Sequence, residues 1–121
     1  IIGLGTDLVS LERMKGLLDH HGDRFRARCF RAGELPDGRA GDPGTVGGRW
    51  AAKEAVLKAL GADVSGVPYR DIEVVPADAG PPSVALHGAA HRLFEAAGGR
   101  TIHLTISHER DHALAFAIVC S

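Results

Sequence analysis

The sequence is poor in most of the features that mark a specialised chain. Only two cysteines, Cys29 and Cys120, occur in 121 residues. That is too few for a disulfide framework and reads as two reduced thiols in a cytoplasmic protein. No apolar run approaches the roughly 20 residues needed to span a bilayer. The segment Ile1-Ile2-Gly3-Leu4-Gly5 has neither the basic start nor the long apolar stretch of a signal peptide. Charge of one sign is missing too: 14 basic residues face 15 acidic ones, for a net charge of -1. This balance excludes a protein built mainly to coat nucleic acid or a membrane surface. Phosphate-binding loops are absent. Gly3-Leu4-Gly5 begins a dinucleotide fingerprint that fails at Leu8, and no Walker sequence occurs. The chain shows no internal repeat and no low-complexity tail. Its length suits one compact domain over residues 1–121 and is too short for most two-domain enzymes.

What is present alternates between helical and extended patterns. Ile1 to Val9 reads as a strand ending near Asp7, followed by a helix from Ser10 to His21 with Gly22 as its stop. A second helical piece covers Arg24 to Cys29. Pro36 to Gly48, dense in Gly, Pro and Asp, reads as a loop. Arg49 to Leu60 is the clearest helix, stopped by Gly61. Asp71–Pro76 and Ser83–Leu86 read as strands joined by a turn. Ala89–Ala97 reads as a helix closed by Gly98-Gly99, and Thr101–Ser107 with Ala113–Val119 as a last strand pair. Strands and helices without strict alternation predict an α+β fold, mainly antiparallel.

On a helical wheel of the Arg49–Leu60 segment, Ala52, Val56, Leu57, Ala59 and Leu60 form the apolar arc. Lys53 falls inside that arc, its stem along the core edge and its ammonium either snorkelling outward or meeting a carboxylate. Glu54 and Lys58 lie on the other side, beside Ala51. Their spacing suits a surface ion pair, or a carboxylate that holds a metal beside a lysine that meets phosphate. Asp7 suits either a helix cap or a second oxygen ligand. Arg13, Lys15, Arg24, Arg26, Arg28 and Arg31 face only Asp19 and Asp23 between them. The excess is either a solvated helical face or a docking surface for an acidic partner. His108-Glu109-Arg110-Asp111-His112 matches the H-E-x-x-H pattern of zinc peptidases. Its context is wrong: Ile102, Leu104 and Ile106 alternate like a strand, and no His, Asp or Glu follows His112 as a third ligand. The stretch reads as a hairpin turn.

Three blocks of the sequence together resemble a known family. They are Gly3-Leu4-Gly5-Thr6-Asp7-Leu8, then Arg49-Trp50-Ala51-Ala52-Lys53-Glu54-Ala55 with Lys58-Ala59-Leu60-Gly61, and Ile106-Ser107-His108. In order and spacing they are similar to the holo-acyl-carrier-protein synthases, the short type of 4′-phosphopantetheinyl transferase. Asp71-Ile72-Glu73-Val74 and the Gly80-Pro81-Pro82 turn fit the same family. The resemblance implies Mg²⁺-dependent transfer of phosphopantetheine from coenzyme A to a serine of an acyl carrier protein, with release of adenosine 3′,5′-bisphosphate. It implies that Asp7 and Glu54 hold the Mg²⁺ and that Lys58 stabilises the departing phosphate. Either Glu54 through a water or His108 would be the base, and His108 could instead meet the nucleotide's phosphates. Arg49, Lys53, Pro82 and Ser107 would shape the coenzyme A site, and Arg13 would meet the acidic carrier, with Arg24 and Arg28 beside it in the basic stretch. A homotrimer with sites at subunit interfaces follows from the resemblance alone. The alternatives are a trimer that binds coenzyme A or a carrier without turnover and, with little support, a zinc peptidase built on His108 and His112. Such phosphoryl chemistry asks for charge neutralisation and positioning more than for a covalent step.

Overall fold

A computed structural model describes residues 1–61 and 64–121. The chain runs β1 (Gly3–Ser10), α1 (Leu11–Cys29), α2 (Pro43–Leu60), a 3-10 turn (Tyr69–Asp71), β2 (Ile72–Val75), β3 (Ser83–Leu86), α3 (Gly88–Ala96), β4 (Thr101–His108) and β5 (His112–Cys120). Three strands form one antiparallel sheet in the order β1-β5-β4, and β2 and β3 form a separate hairpin. The fold is α+β with antiparallel sheets, as the sequence pattern predicts.

Helix α2 lies at the centre and is buried almost all round, as a core helix must be. Its sheet side is made of small residues. Gly3 and Gly5 of β1 sit so close that a side-chain carbon there would lie 1.8 Å from the carbonyl oxygens of Ala59 and Ala55. Across the sheet, Gly3, Gly5, Asp7 and Val9 pair with Val119, Ala117, Ala115 and Ala113 of β5, all on the face turned to α2. The paired glycines therefore serve close helix–strand approach rather than a nucleotide loop.

One boundary differs from expectation. Helix α2 starts at Pro43, inside the stretch read as a loop. Asp42 caps it by accepting from the Thr45 backbone N–H at 3.2 Å and from the Thr45 hydroxyl at 2.6 Å, and Pro43 occupies a first-turn position that needs no N–H donor. Gly47 and Gly48 lower helix propensity. Both are buried where a side-chain carbon would come within 2.9 Å of Leu11 or Ile106, so packing offsets that cost. Helix α1 consists of two helical pieces that meet at a kink at His21 (φ -139°, ψ 24°), in line with the two pieces expected on either side of Gly22. Ala51, placed on the outer side by the wheel, is instead fully buried in the core cluster with Ala55, Ala115 and Ala117. Gly61 ends α2 in the left-handed conformation expected of a glycine stop (φ 74°).

Candidate active site

Lys53 points into the core and is fully buried. Its ammonium meets both carboxylate oxygens of Glu34, Oε1 at 3.0 Å and Oε2 at 2.9 Å. It also donates to the carbonyls of Tyr69, at 3.1 Å, and Ile72, and sits 5.0 Å from the centre of the Phe30 ring. Glu34 is buried too and accepts from the backbone N–H groups of Arg31 (2.9 Å) and Val74 (3.3 Å). Burial pulls the Lys53 pKa down and Glu34 opposes the shift. Of the two dispositions open to Lys53, the structure takes the carboxylate partner, inside the protein and away from any ligand surface. Nothing in the sequence marks Glu34 as that partner, because it lies 19 positions away next to an irregular stretch.

Glu54, one residue later, faces a cavity instead of the core. It lines a cavity of about 300 Å³ together with Asp7, Ser10, Arg13, Met14 and Trp50. Asp7 is held at this edge because β1 carries it on the face turned to α2. Lys58, one helical turn beyond Glu54, is exposed and donates to Asp7 Oδ1 at 3.2 Å and to the Thr6 carbonyl at 2.9 Å. Glu54 accepts from the Tyr69 hydroxyl at 2.7 Å. Both residues thus find partners off the helix instead of forming the pair their spacing allows. Burial, together with the Glu54 carboxylate, pushes the Tyr69 pKa up to about 12, so the phenol stays a donor at neutral pH. The Tyr69 ring centre lies 4.4 Å from that of Trp50, and Trp50 touches Phe25 at 5.4 Å. The Tyr69 contact has no sequence signal, since its spacing from Glu54 fits neither helix nor strand periodicity.

The remaining predicted residues, Arg13 apart, lie outside this cavity. His108 ends β4 and lines a neighbouring cavity of about 870 Å³ with Lys15, Asp42, Gly44, His112 and Ser10, the last shared with the Glu54 cavity. Ser107 is exposed on the opposite face of the sheet, paired with Leu114. Arg49 donates from Nε to the Glu34 carbonyl at 3.0 Å, and burial lowers its pKa while Glu34 opposes. Pro82 sits in the β2–β3 connection, away from both cavities. Arg13 is in the first turn of α1 and borders the Glu54 cavity. Arg24 and Arg28 flank a groove of about 620 Å³ with Leu17 and Phe25.

The peptidase reading is overturned. His108 and His112 end one strand and begin the next across a tight turn closed by the Glu109 N–H to the His112 carbonyl (2.9 Å), not one helix face. Among the described residues no three His, Cys, Asp or Glu side chains gather as a metal cluster. Two carboxylates at one cavity edge are a poor zinc site but a donor set that suits Mg²⁺, which takes one or two carboxylates and fills its shell with phosphate and water.

Residues 3–117 match the family model of the 4′-phosphopantetheinyl transferase superfamily. The chain is 44% identical to the holo-[acyl-carrier-protein] synthase of Gloeobacter violaceus over 115 residues, 93% of this chain and 87% of the relative. The crystal structure of the Neisseria meningitidis holo-[acyl-carrier-protein] synthase superposes with a TM-score of 0.87 at 35% identity, covering 100% of this chain and 99% of that one. A Bacillus anthracis holo-(acyl-carrier-protein) synthase solved in complex with coenzyme A (3′,5′-ADP) is similar at a TM-score of 0.75 and 31% identity, covering 98% and 96% of the two chains.

Proposed function

Given that this chain belongs to the 4′-phosphopantetheinyl transferase superfamily as a holo-acyl-carrier-protein synthase, we propose that it moves the phosphopantetheine of coenzyme A onto a serine of an apo acyl carrier protein. The serine oxygen forms a bond to the phosphorus that carries pantetheine. The bond from that phosphorus to the adjoining phosphate breaks, and adenosine 3′,5′-bisphosphate leaves. The observation that carries this reading is that Asp7 and Glu54 line one cavity while Lys58 pairs with Asp7, two anionic ligands beside a cation.

Asp7 and Glu54 are the residues that would hold Mg²⁺, which when bound neutralises pyrophosphate charge. Lys58 is exposed and held by only one carboxylate and one carbonyl. It turns to the departing phosphate and stabilises the charge that develops there. Glu54 borders the cavity and takes the serine proton through a water molecule. His108 lines a different cavity of the same chain, and in this reading it meets the nucleotide's phosphates, with Arg49, Ser107 and Pro82 bordering the bound coenzyme A. Lys53 supports that site from within the core rather than by touching the ligand.

In this reading a second copy of the chain completes the site. The outer face of the three-stranded sheet supports the same view, because Leu4, Leu8, Leu114 and Phe116 lie bare on it. A homotrimer covers that face. Arg13 at the cavity mouth, with Arg24 and Arg28 along the adjoining groove, receives the acidic carrier, and added salt weakens that encounter. Two free thiols suit a reducing compartment, the cytoplasm. Among the described residues no helix is long and apolar enough to cross a membrane.

Mass spectrometry of apo carrier protein incubated with coenzyme A and Mg²⁺ tests the reading. Wild-type protein should add one phosphopantetheine per carrier, and Glu54→Gln or Asp7→Asn should slow the addition about 100-fold or more while leaving the fold intact. A wild-type chain that leaves every carrier unmodified overturns it.

A further inference from the structure

We propose that Tyr69 is a positioning residue for Glu54, holding its carboxylate at the cavity edge in the orientation that receives the metal. The inference rests on the metal-holding role of Glu54 given above. Two consecutive residues of α2 grip this one tyrosine. From the core side, the Lys53 ammonium binds the Tyr69 carbonyl at 3.1 Å, and Lys53 is itself fixed by the buried Glu34. From the cavity side, the Tyr69 hydroxyl donates to Glu54 Oε1 at 2.7 Å. The ring is held between these two ends by Trp50, whose ring centre is 4.4 Å away. Tyr69 is therefore anchored at its backbone, its ring and its hydroxyl. A glutamate side chain left to itself samples many rotamers, and ordering it costs entropy. Here one carboxylate oxygen is already occupied by a donor on a rigid support, and the other is left for a ligand. Partners behind a metal-holding side chain commonly set its orientation in this way. The structure so connects the buried Glu34–Lys53 pair to the cavity through a single residue.

The test is a Mg²⁺ titration of the whole protein with saturating coenzyme A, read by calorimetry and by emission of Trp50, the one tryptophan, which lines the same cavity. Tyr69→Phe keeps the ring and removes only the hydroxyl. Its Mg²⁺ midpoint should rise about tenfold. Turnover at low Mg²⁺ should fall and be restored by excess Mg²⁺, with the KM for the carrier unchanged. Glu54→Asp, which withdraws the carboxylate from the hydroxyl, should raise the midpoint likewise, and Tyr69→Phe added to it should change nothing more. A Tyr69→Phe midpoint equal to wild type overturns the proposal, as does a second full shift in the Glu54→Asp background. Wild-type protein that takes up no Mg²⁺ overturns it too. A shifted Mg²⁺ midpoint without carrier modification keeps the positioning role and removes the transferase reading instead. Normal transfer with unchanged midpoints does the reverse.

Discussion

On the face of β1 and β5 turned to α2 most side chains are small: Gly3, Gly5, Ala113, Ala115 and Ala117. On the other face they are large and uncovered: Leu8 is 64% exposed and Leu4 56%. This inverts the usual placement of bulky apolar residues. The thin inner layer lets the helix backbone approach the strand, and that approach lets Lys58 of α2 reach both Thr6 and Asp7 of β1. The thick outer layer does nothing for the isolated chain and suits a surface that another copy covers. In the function proposed above, the site and the assembly surface thus fall on opposite sides of the same strands.

Substitutions can test that division from the inside outward. Behind the inner layer, Lys53→Met leaves the Glu34 carboxylate buried without its cation. The loss should be about 3–5 kcal/mol, read as a fall in the urea midpoint. At the inner layer itself, Gly5→Ala places a carbon against the immovable Ala55 carbonyl and should cost about 3 kcal/mol, the upper range for overpacking. A Gly5→Ala chain as stable as wild type would show that helix and strand are free to separate, and the comparison would fail. At the margin, Asp42→Ala removes the α2 cap and should cost about 1 kcal/mol at neutral pH. The Thr45 hydroxyl, more than any other group, holds the Asp42 pKa below its ordinary 3.8. The cap's contribution is therefore full above the unfolded carboxyl value and fades as pH falls through the lower native one. Chemical denaturation of wild type and Asp42→Ala should accordingly converge in acid. On the outer face, Phe116→Ser should change the stability of the monomeric chain by no more than about 0.5 kcal/mol, yet abolish association in sedimentation. Loss of folding in that variant would make the outer face part of the core.

The central helix and the strand order of hydrophobic alternation were readable because period and composition agreed. Ala-rich Arg49–Leu60 and alternating Ile102, Leu104 and Ile106 needed no tertiary information. The start of α2 was obscured by its glycines, whose low propensity argued for a loop, although Asp42-Pro43 is itself a helix-start signature. Within the site, Asp7, Glu54 and Lys58 could be named from motif resemblance and lie together in the structure. Glu34 and Tyr69 could not, because each meets its partner through tertiary packing 19 or 15 positions away, where no periodicity operates.

Lys53 and Glu54 are chain neighbours with opposite surroundings, and this constrains how α2 can be turned about its own axis. A rotation by one residue, about 100°, would swing the Glu54 carboxylate toward Glu34 and draw the Lys53 ammonium away from it. Two like charges would then share a dry interior. The wrong phase is rejected by charge as well as by shape. Because the correct phase is also what brings Glu54 to the cavity that Asp7 lines and Lys58 to Asp7 itself, the buried ion pair acts as an alignment pin, indexing a surface it never touches.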